Sequence, residues 1–337
     1  MRHLRPIAFA PFLVCVVLLA SPRSGWAFDL LETDDLTVGA NAYVSGVIGA
    51  EIPSSGDADY GAFLRLARLK MDADYTDKAS VKVQFGGSEG VVELVDAEAA
   101  VRPWEPLEIR VGRYKTSVSP EFLRSAIGLP FIGRALLNEF VPRRRTGVEA
   151  VGRFAVGDIE IQPQVGLFQP ARTTFTNPQG ELLTGRLLVG TAANLDFHVG
   201  YAQHVFEEND LPGTTGTTPA QDRVVVYNSP LDVAVTYRNG GLDLHAEGVW
   251  VADPPRDDTV LAGYLHATYL TGPEDGIQLE PTVAYDIVHV DDFLHRASGG
   301  LNVHWWNTGF ASLLDYRLRV GGGRELHTIL LALRGQI

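Results

Sequence analysis

One short stretch of the chain concentrates arginine in an otherwise acidic sequence. Over 337 residues, Asp and Glu number 41 and Lys and Arg 28, giving a formal net charge of −13. The stretch contains Lys115, Arg124, Arg134, Arg143, Arg144 and Arg145, with Glu121 and Glu139 as acidic members. Guanidinium groups are planar, permanently charged and matched to phosphate oxygens. Rings of Arg and Lys select anions where they line a pore, so in a channel this stretch would form an anion-preferring pore constriction.

A second group of bases lies at alternate positions of runs that read as β-strands. If the strands enclose a pore, these residues are predicted to line it: Arg68, Lys70, Lys82, Arg110, Arg186, Arg317, Arg319 and Arg334. Carboxylates share the same predicted face, namely Asp72, Asp74, Asp96, Glu98, Glu149, Asp286 and Asp315. Two interpretations stay open: the bases attract anions, or they are solvated charges paired with these acids. With four lysines in the chain and at least as many lining acids as bases, we expect a weak anion preference.

The motifs that could indicate catalysis or metal binding stand in the wrong context. Residues 86–90 (GGSEG) match the nucleophile-elbow pattern. That motif needs a strand-to-helix turn, whereas these residues join two predicted strands. His289, Asp291, Asp292 and His295 could hold a divalent cation at a loop tip, although loop charges are commonly only solvated. We expect no catalytic residue, no metal site and no cofactor.

The N-terminus has the regions of a secretory signal peptide. Arg2 and Arg5 precede the apolar run 7–20, and small residues precede a cleavage site before Phe28. The run is shorter than the roughly 20 residues that a membrane-spanning helix needs. Removal of residues 1–27 would take away three arginines and the chain's one cysteine, so the net charge would fall from −13 to −16. Such acidity argues against general nucleic-acid binding.

The remaining residues, 28–337, are predicted to form one all-β domain. Hydrophobic residues alternate with polar ones at period two, as at Leu231, Val233 and Val235, and Gly, Pro, Asn and Asp separate the runs. Sixteen strands are predicted, with a count of 14 as an alternative: 36–50, 61–76, 80–86, 91–102, 107–115, 146–156, 159–168, 182–191, 195–206, 223–238, 242–252, 260–271, 277–288, 296–306, 310–320 and 326–337.

This strand pattern favours a transmembrane antiparallel β-barrel over a secreted β-sandwich. Links after even-numbered strands are short and links after odd-numbered strands tend to be longer, which is the layout of an outer-membrane barrel. Sixteen strands would be unusually many for one sandwich. Aromatic residues also cluster near strand ends on the apolar face, where interfacial girdles lie: Tyr201, Tyr237, Trp250, Tyr269, Tyr285 and Tyr316.

Sequence blocks between Phe63 and Phe154 carry a family resemblance. The blocks are FLRLARL from Phe63, VDAEAAV from Val95, IRVGRYK from Ile109, FIGRALL from Phe131 and VPRRRTGV from Val141. In order and spacing they resemble the phosphate-selective porin O and P family. The resemblance implies a sixteen-stranded, usually trimeric, outer-membrane porin whose third loop folds inward to narrow the pore.

The strand order places the loop 116–145 third among the long loops. Its residues 120–140 begin with Pro and hold apolar residues at helical spacing, so a helix is predicted there. A loop this long needs a function, and narrowing the lumen is one. An extracellular flap is the alternative, because loops lie at the surface by default.

Together these patterns predict a bacterial outer-membrane porin for passive diffusion of small hydrophilic solutes, with weak anion (phosphate-type) preference. Its expected partners are membrane lipid, small hydrophilic or anionic solutes and further copies of itself as a homotrimer, with no nucleic acid. The alternative is an outer-membrane barrel that has an adhesive or enzymatic role at its rim.

Overall fold

Backbone pairing closes the chain into a single antiparallel sheet. The computed structural model describes residues 28–88, 91–169, 181–205, 229–253, 258–290, 292–305 and 309–336. The strands are β1 (Phe28–Glu32), β2 (Leu36–Pro53), β3 (Asp59–Tyr75), β4 (Ala79–Ser88), β5 (Val91–Trp104), β6 (Leu107–Lys115), β7 (Arg144–Gly152), β8 (Phe154–Val156), β9 (Ile159–Phe168), β10 (Glu181–Thr191), β11 (Leu195–Val205), β12 (Ser229–Asn239), β13 (Leu242–Asp253), β14 (Asp258–Tyr269), β15 (Gln278–His289), β16 (Phe293–Trp305), β17 (Phe310–Gly321) and β18 (Arg324–Gln336).

The barrel closes where β18 pairs with β2, from Leu326 opposite Pro53 to Gln336 opposite Tyr43. β1 pairs with residues 37–40 of β2, next to the residues that pair with β18. β1 and β18 therefore lie end to end along β2. β7 and β8 both pair with β9 and act as one strand interrupted at Arg153. The result is a closed barrel of 16 strands, as the alternating pattern predicts. β1 was not predicted, because five residues beside a predicted cleavage site are too few to show a period.

The two faces of the wall differ as a barrel in an apolar surrounding requires. Large apolar side chains such as Leu69, Val111 and Val283 are exposed on the outer face. Tyr43, Gln84 and most charged groups lie on the inner face, where many are buried. Of the six predicted girdle aromatics, Tyr237 is half-buried and the other five are exposed on the outer face: Tyr201, Trp250, Tyr269, Tyr285 and Tyr316.

A β-bulge in β3 changes which residues face inward. Ser45 of β2 lies opposite Leu66, but the next residue, Gly46, lies opposite Leu64, so Arg65 is the extra residue. A bulge shifts the alternation by one position. Phe63 therefore lies opposite Val47, which is buried on the inner face. Strict alternation from Leu69 would have placed both Phe63 and Arg65 on the outer face.

The predicted tendency toward longer links after odd-numbered strands has an exception, because only Gly322 and Gly323 separate β17 from β18. The predicted helix 120–140 is wrong. The structure has only the helical turn α1 (Pro120–Leu123) and a 3-10 turn at Leu136–Glu139. Pro130 lacks a backbone N–H and disfavours helical geometry in the residue before it, which ends the helical pattern.

No helix within the described ranges is both long and apolar enough to cross a membrane. The predicted signal peptide lies outside the described residues and stays a prediction. The same holds for residues 223–228 of the predicted tenth strand.

Gly112 in β6 should be one of the least replaceable residues of the wall. Its φ is +128°, and a Cβ added there would lie 2.0 Å from the carbonyl oxygen of Ala97. We expect Gly112→Ala to lower the free energy of unfolding by about 1–3 kcal/mol, the cost of forcing a side chain into such a backbone conformation. Urea unfolding of the detergent-folded protein, followed by tryptophan fluorescence, measures this change. Gly185→Ala is the control, because nothing lies within 4 Å of its added Cβ; equal losses in both variants would contradict the assignment.

Candidate functional site

The segment between β6 and β7, residues 116–143, is tied together at its base. Thr116 donates its backbone N–H to the carbonyl of Arg143 at 3.2 Å, and its hydroxyl donates to the carbonyl of Pro142 at 2.5 Å. The predicted loop 116–145 is therefore two residues too long, because Arg144 and Arg145 already belong to β7. We call residues 116–143 the crossing segment.

Glu247 of β13 holds the start of the crossing segment. One carboxylate oxygen accepts the Ser119 hydroxyl at 2.5 Å, and the other accepts the backbone N–H of Glu121 at 2.9 Å. The Ser119 oxygen in turn caps α1 by accepting the N–H of Phe122 at 3.1 Å. His245 lies 2.8 Å from the same carboxylate and fixes its orientation. A helix of one turn is marginal alone, so these contacts stabilise it.

Carboxylates from other strands bind the irregular backbone further along the segment. Asp315 of β17 accepts the N–H of Ile132 at 2.6 Å, and Asp286 of β15 accepts the N–H of Leu136 at 2.7 Å. Both carboxylates are fully buried on the inner face. Asn302 of β16 donates to the carbonyl of Pro130 at 2.9 Å. Inner-face side chains thus supply the partners that a non-helical, buried backbone lacks.

Inner-face cations and an imidazole bind four more carbonyls of the crossing segment. His198 of β11 donates to Val118 at 2.6 Å, and Arg296 of β16 donates to Arg134 at 2.9 Å. Arg334 of β18 donates to the carbonyls of Ile127 and Leu129. These contacts join the segment to strands far from β6 and β7.

Glu121 accepts hydrogen bonds from several other residues of the crossing segment. Its carboxylate accepts from Arg134 at 3.3 Å, from the N–H of Ala135 at 3.2 Å and from the Asn138 amide. Burial raises the pKa of Glu121, the positive charge of Arg134 opposes that rise, and the negative charge of Glu247 adds to it. Glu121 can therefore take up a proton at a pH above the ordinary pKa range of glutamate.

The structure brings together three of the six predicted constriction bases. Lys115 donates to the carbonyl of Arg124 at 2.7 Å and is repelled by the nearby charges of Arg134, Arg144 and Arg68. Arg144 also pairs with Asp96 at 2.7 Å.

The other three predicted constriction bases lie elsewhere. Arg124 reaches β13 and β14, where it pairs with Asp243 at 3.3 Å and contacts His266 at 3.1 Å. Arg143 is exposed, and Arg145 donates to the carbonyl of Arg144. The run 143–145 is therefore not a single cluster, because successive residues of an extended chain point in different directions.

Several of the predicted lining bases are ion-paired. Lys70 lies 2.8 Å from Asp72, Arg317 lies 2.8 Å from Asp315, and Lys82 is bound to Glu98. Arg110 contacts three carboxylates, those of Glu108, Glu98 and Glu149. Each of these four bases therefore has a carboxylate partner, as the interpretation as paired charges expects.

The remaining lining bases lack a carboxylate partner among the described residues. Arg186 binds His198 and Gln164, and Arg68 lies 5.8 Å from the ring centre of Tyr43. Arg319 and Arg334 likewise form no salt bridge to a described acid.

Sequence reasoning missed Arg65 and Arg296. Arg65 faces inward only because of the bulge in β3, and it is repelled by Arg334, Arg317 and Arg134. Arg296 stood at the first position of a predicted strand, where its face was uncertain; it pairs with Asp286 at 2.9 Å. A bulge leaves no reliable mark in a single sequence, so no local signal could have assigned Arg65.

Neither candidate motif, for catalysis or for metal binding, has the arrangement it needs among the described residues. β4 ends at Ser88 and the next element is the antiparallel strand β5, so the strand-to-helix context of a nucleophile elbow is missing. Among the described residues, no group of three or more His, Cys, Asp or Glu could hold a metal ion. Asp291 of the second motif lies outside those residues.

Solved structures with the same fold are outer-membrane proteins. An anion-selective porin from Comamonas acidovorans has a TM-score of 0.64 and 12% identity over 90% of this chain and 100% of its own. Salmonella typhi OmpF in complex with daunomycin has a TM-score of 0.62 and 10% identity over 91% and 99%. A trimer form of Vibrio cholerae OmpT has a TM-score of 0.59 and 14% identity over 90% and 100%. At these identities the likeness establishes the porin-type barrel fold.

No family model and no curated protein matches the chain. The resemblance to the phosphate-selective porin O and P family therefore stays a prediction.

The contacts of Glu247 predict how the crossing segment can be released. Glu247→Ala leaves the Ser119 hydroxyl and the Glu121 N–H without partners, and each unpaired buried donor costs about 1–3 kcal/mol. We expect trypsin to cut the folded variant after Arg124 or Arg134 at least about tenfold faster than the parent, since tenfold corresponds to about 1.4 kcal/mol. Peptide mapping measures the rate. Glu160→Ala, at an exposed glutamate of β9, is the control; equal cleavage rates in both variants would show that Glu247 does not hold the segment.

Proposed function

We propose that the protein is an outer-membrane channel through which small hydrophilic solutes diffuse passively, with a weak preference for anions, phosphate among them. After removal of residues 1–27, the barrel lies in the bacterial outer membrane with its exposed apolar face in contact with lipid. The observation that carries the proposal is a closed barrel with a polar inner face on which several arginines have no acidic partner among the described residues.

The crossing segment is proposed to narrow the lumen. Its support is the set of hydrogen bonds to inner-face side chains of β11, β13, β15, β16, β17 and β18, all on strands distant from its own base. The backbone N–H groups of a surface flap could bond to water and would not need buried carboxylates as acceptors. Passage is then confined to the space that the segment leaves beside the other strands.

The sign of the selectivity rests on the unpaired bases. Arg65 and Arg68 of β3 form no salt bridge with a described acid, and the Nε of Arg68 has no hydrogen-bond partner. Arg134 of the crossing segment lies close to Arg65, but it is paired with Glu121 at 3.3 Å. Like charges in a confined, poorly screened space attract the opposite ion. The preference is weak because Lys70, Lys82, Arg110 and Arg317 are neutralised by acids.

The functional unit is proposed to be a homotrimer. The support is the shared fold with the Vibrio cholerae OmpT structure that is described as a trimer form. An exposed apolar outer face is equally suited to lipid and to a second copy, so lipid and further copies together cover the barrel.

Removing the unpaired charge of β3 should weaken the anion preference. A unit charge at about 4 Å contributes about 1 kcal/mol even in water, so we expect the double variant Arg65→Gln, Arg68→Gln to lower the anion-to-cation permeability ratio by about fivefold. The reversal potential of the channel across a KCl gradient in a planar bilayer measures this ratio.

Lys78→Gln serves as the control, because Lys78 is exposed in the turn after β3. Cation preference in the parent protein, or an unchanged ratio in the double variant, would contradict the proposed anion preference. Loss of all conductance in the parent would contradict the channel itself.

Glu121 should make the anion preference depend on pH. Burial raises its pKa, so the carboxylate gains a proton as the pH falls through a value above the ordinary one of about 4.3. Its negative charge beside Arg134 then disappears, and the anion preference should increase. Glu121→Gln should show the increased preference at every pH. The measurement is the reversal potential between pH 4 and pH 8, buffer values chosen to span roughly the range of perturbed carboxyl groups. Glu139→Gln, at an exposed glutamate of the same segment, should keep the transition; a transition that survives in Glu121→Gln would assign it to another group.

A further inference from the structure

A cavity of about 510 Å³ lies between the crossing segment and the strands β2, β3, β17 and β18. Its volume falls in the range of small-molecule sites. Four arginines line it: Arg65, Arg296, Arg317 and Arg319. Arg296 holds the crossing segment through the carbonyl of Arg134, and Arg317 pairs with Asp315, whereas none of the described contacts that hold the segment uses Arg65 or Arg319.

Two of the four arginines are cross-strand neighbours. Arg296 of β16 and Arg319 of β17 are directly opposite each other in the pairing register. Like charges in that arrangement are destabilising. Arg296 and Arg317 are offset by Asp286 and Asp315. Arg65 and Arg319 form no salt bridge to a described carboxylate, so two guanidinium groups remain for a ligand.

The same cavity has an apolar side. Phe63 lies on the inner face opposite Val47, yet 46% of its surface is exposed, so its ring faces open space. Leu330 of β18 and Leu136 of the crossing segment also line the cavity. Beside Phe63, a Cβ added at Gly61 would meet nothing within 4 Å. An exposed phenyl ring on an inner wall beside arginines is unsuited to a fully hydrated ion and suited to an apolar ligand body.

The charge of the lining limits the charge of that ligand. Glu51 and Asp59 also line the cavity, and both are exposed. Their negative charges lower the net positive charge of the lining and disfavour a multiply charged anion. A single carboxylate can be bound by one or two forked guanidinium groups, while an aromatic body packs on Phe63 and the apolar residues.

We infer that this cavity binds aromatic monocarboxylates, with the carboxylate at Arg65 and Arg319 and the ring on Phe63. The inference rests on the proposed channel function, which it refines by naming a class of permeating anion. Binding can be measured without conduction, so the two can fail separately.

Binding to the detergent-folded protein tests the cavity directly. Sodium benzoate is titrated and its line broadening followed by NMR, with sodium acetate and inorganic phosphate as matched anions. Acetate has the same carboxylate and no ring, and phosphate has more charge. We expect benzoate to bind about tenfold more tightly than either, which corresponds to about 1.4 kcal/mol. Equal dissociation constants for benzoate and acetate would overturn the inference.

Three variants locate the binding. Phe63→Ala should remove the advantage of benzoate over acetate, and Arg65→Gln should weaken both carboxylates. Gly61→Val should fill the open space and weaken benzoate while it keeps every charge. Phe85→Ala is the matched control, because Phe85 pairs with Leu69 on the outer face. Benzoate affinity that is the same in Phe63→Ala, Gly61→Val and Phe85→Ala would place the ligand elsewhere and overturn the assignment.

A bilayer measurement separates this inference from the channel function. In a conducting channel, benzoate should reduce the chloride current at about a tenth of the concentration of acetate, in line with the affinity ratio. Chloride conductance with no difference between benzoate and acetate would leave the channel standing and overturn the aromatic preference. Benzoate binding without any conductance would leave the cavity standing and overturn the channel.

Discussion

Every polar group of the backbone must find a partner inside the protein, and the closed ladder of hydrogen bonds answers that requirement for the wall. The decisive pairing is that of β18 with β2, because it joins the two ends of the sheet and removes both free edges. β1 extends the same line where β18 ends. Once the ladder is closed, alternation along each strand has one outcome: apolar side chains face outward, and polar ones face each other across the interior.

The same requirement explains the acidity of the inner face. The crossing segment is largely irregular, so its N–H groups need acceptors that neither a helix nor a strand supplies. Glu247, Asp286 and Asp315 are those acceptors. A carboxylate bound to backbone is still negative, which is why arginines such as Arg296 and Arg317 accompany these acids. Arg65 and Arg68 form no salt bridge to a described acid, so an excess of acid in the sequence is compatible with the proposed anion preference.

Period-two alternation made the barrel predictable, because each residue's face follows from its neighbours along at least ten residues of most strands. The strand count, the two faces and the ion pairs of Lys70 and Lys82 follow from that rule. Features that break the rule were not predictable. The bulge at Arg65 turns Phe63 inward, and Pro130 stops a helix that the apolar spacing favours. The long-range partners of the crossing segment depend on the closed fold, so no local pattern could show that Glu247 holds Ser119.

The crossing segment, held in place by carboxylates of the barrel wall, is proposed to narrow the diffusion path. The most direct measurement is the single-channel conductance in planar bilayers of the native protein and of a variant in which residues 120–140 are replaced by a short Gly-Ser link. If the segment occupies part of the lumen, as proposed, stepwise currents should appear in both, with clearly larger steps in the variant. Equal steps, or no steps from correctly folded native barrels, would contradict the account.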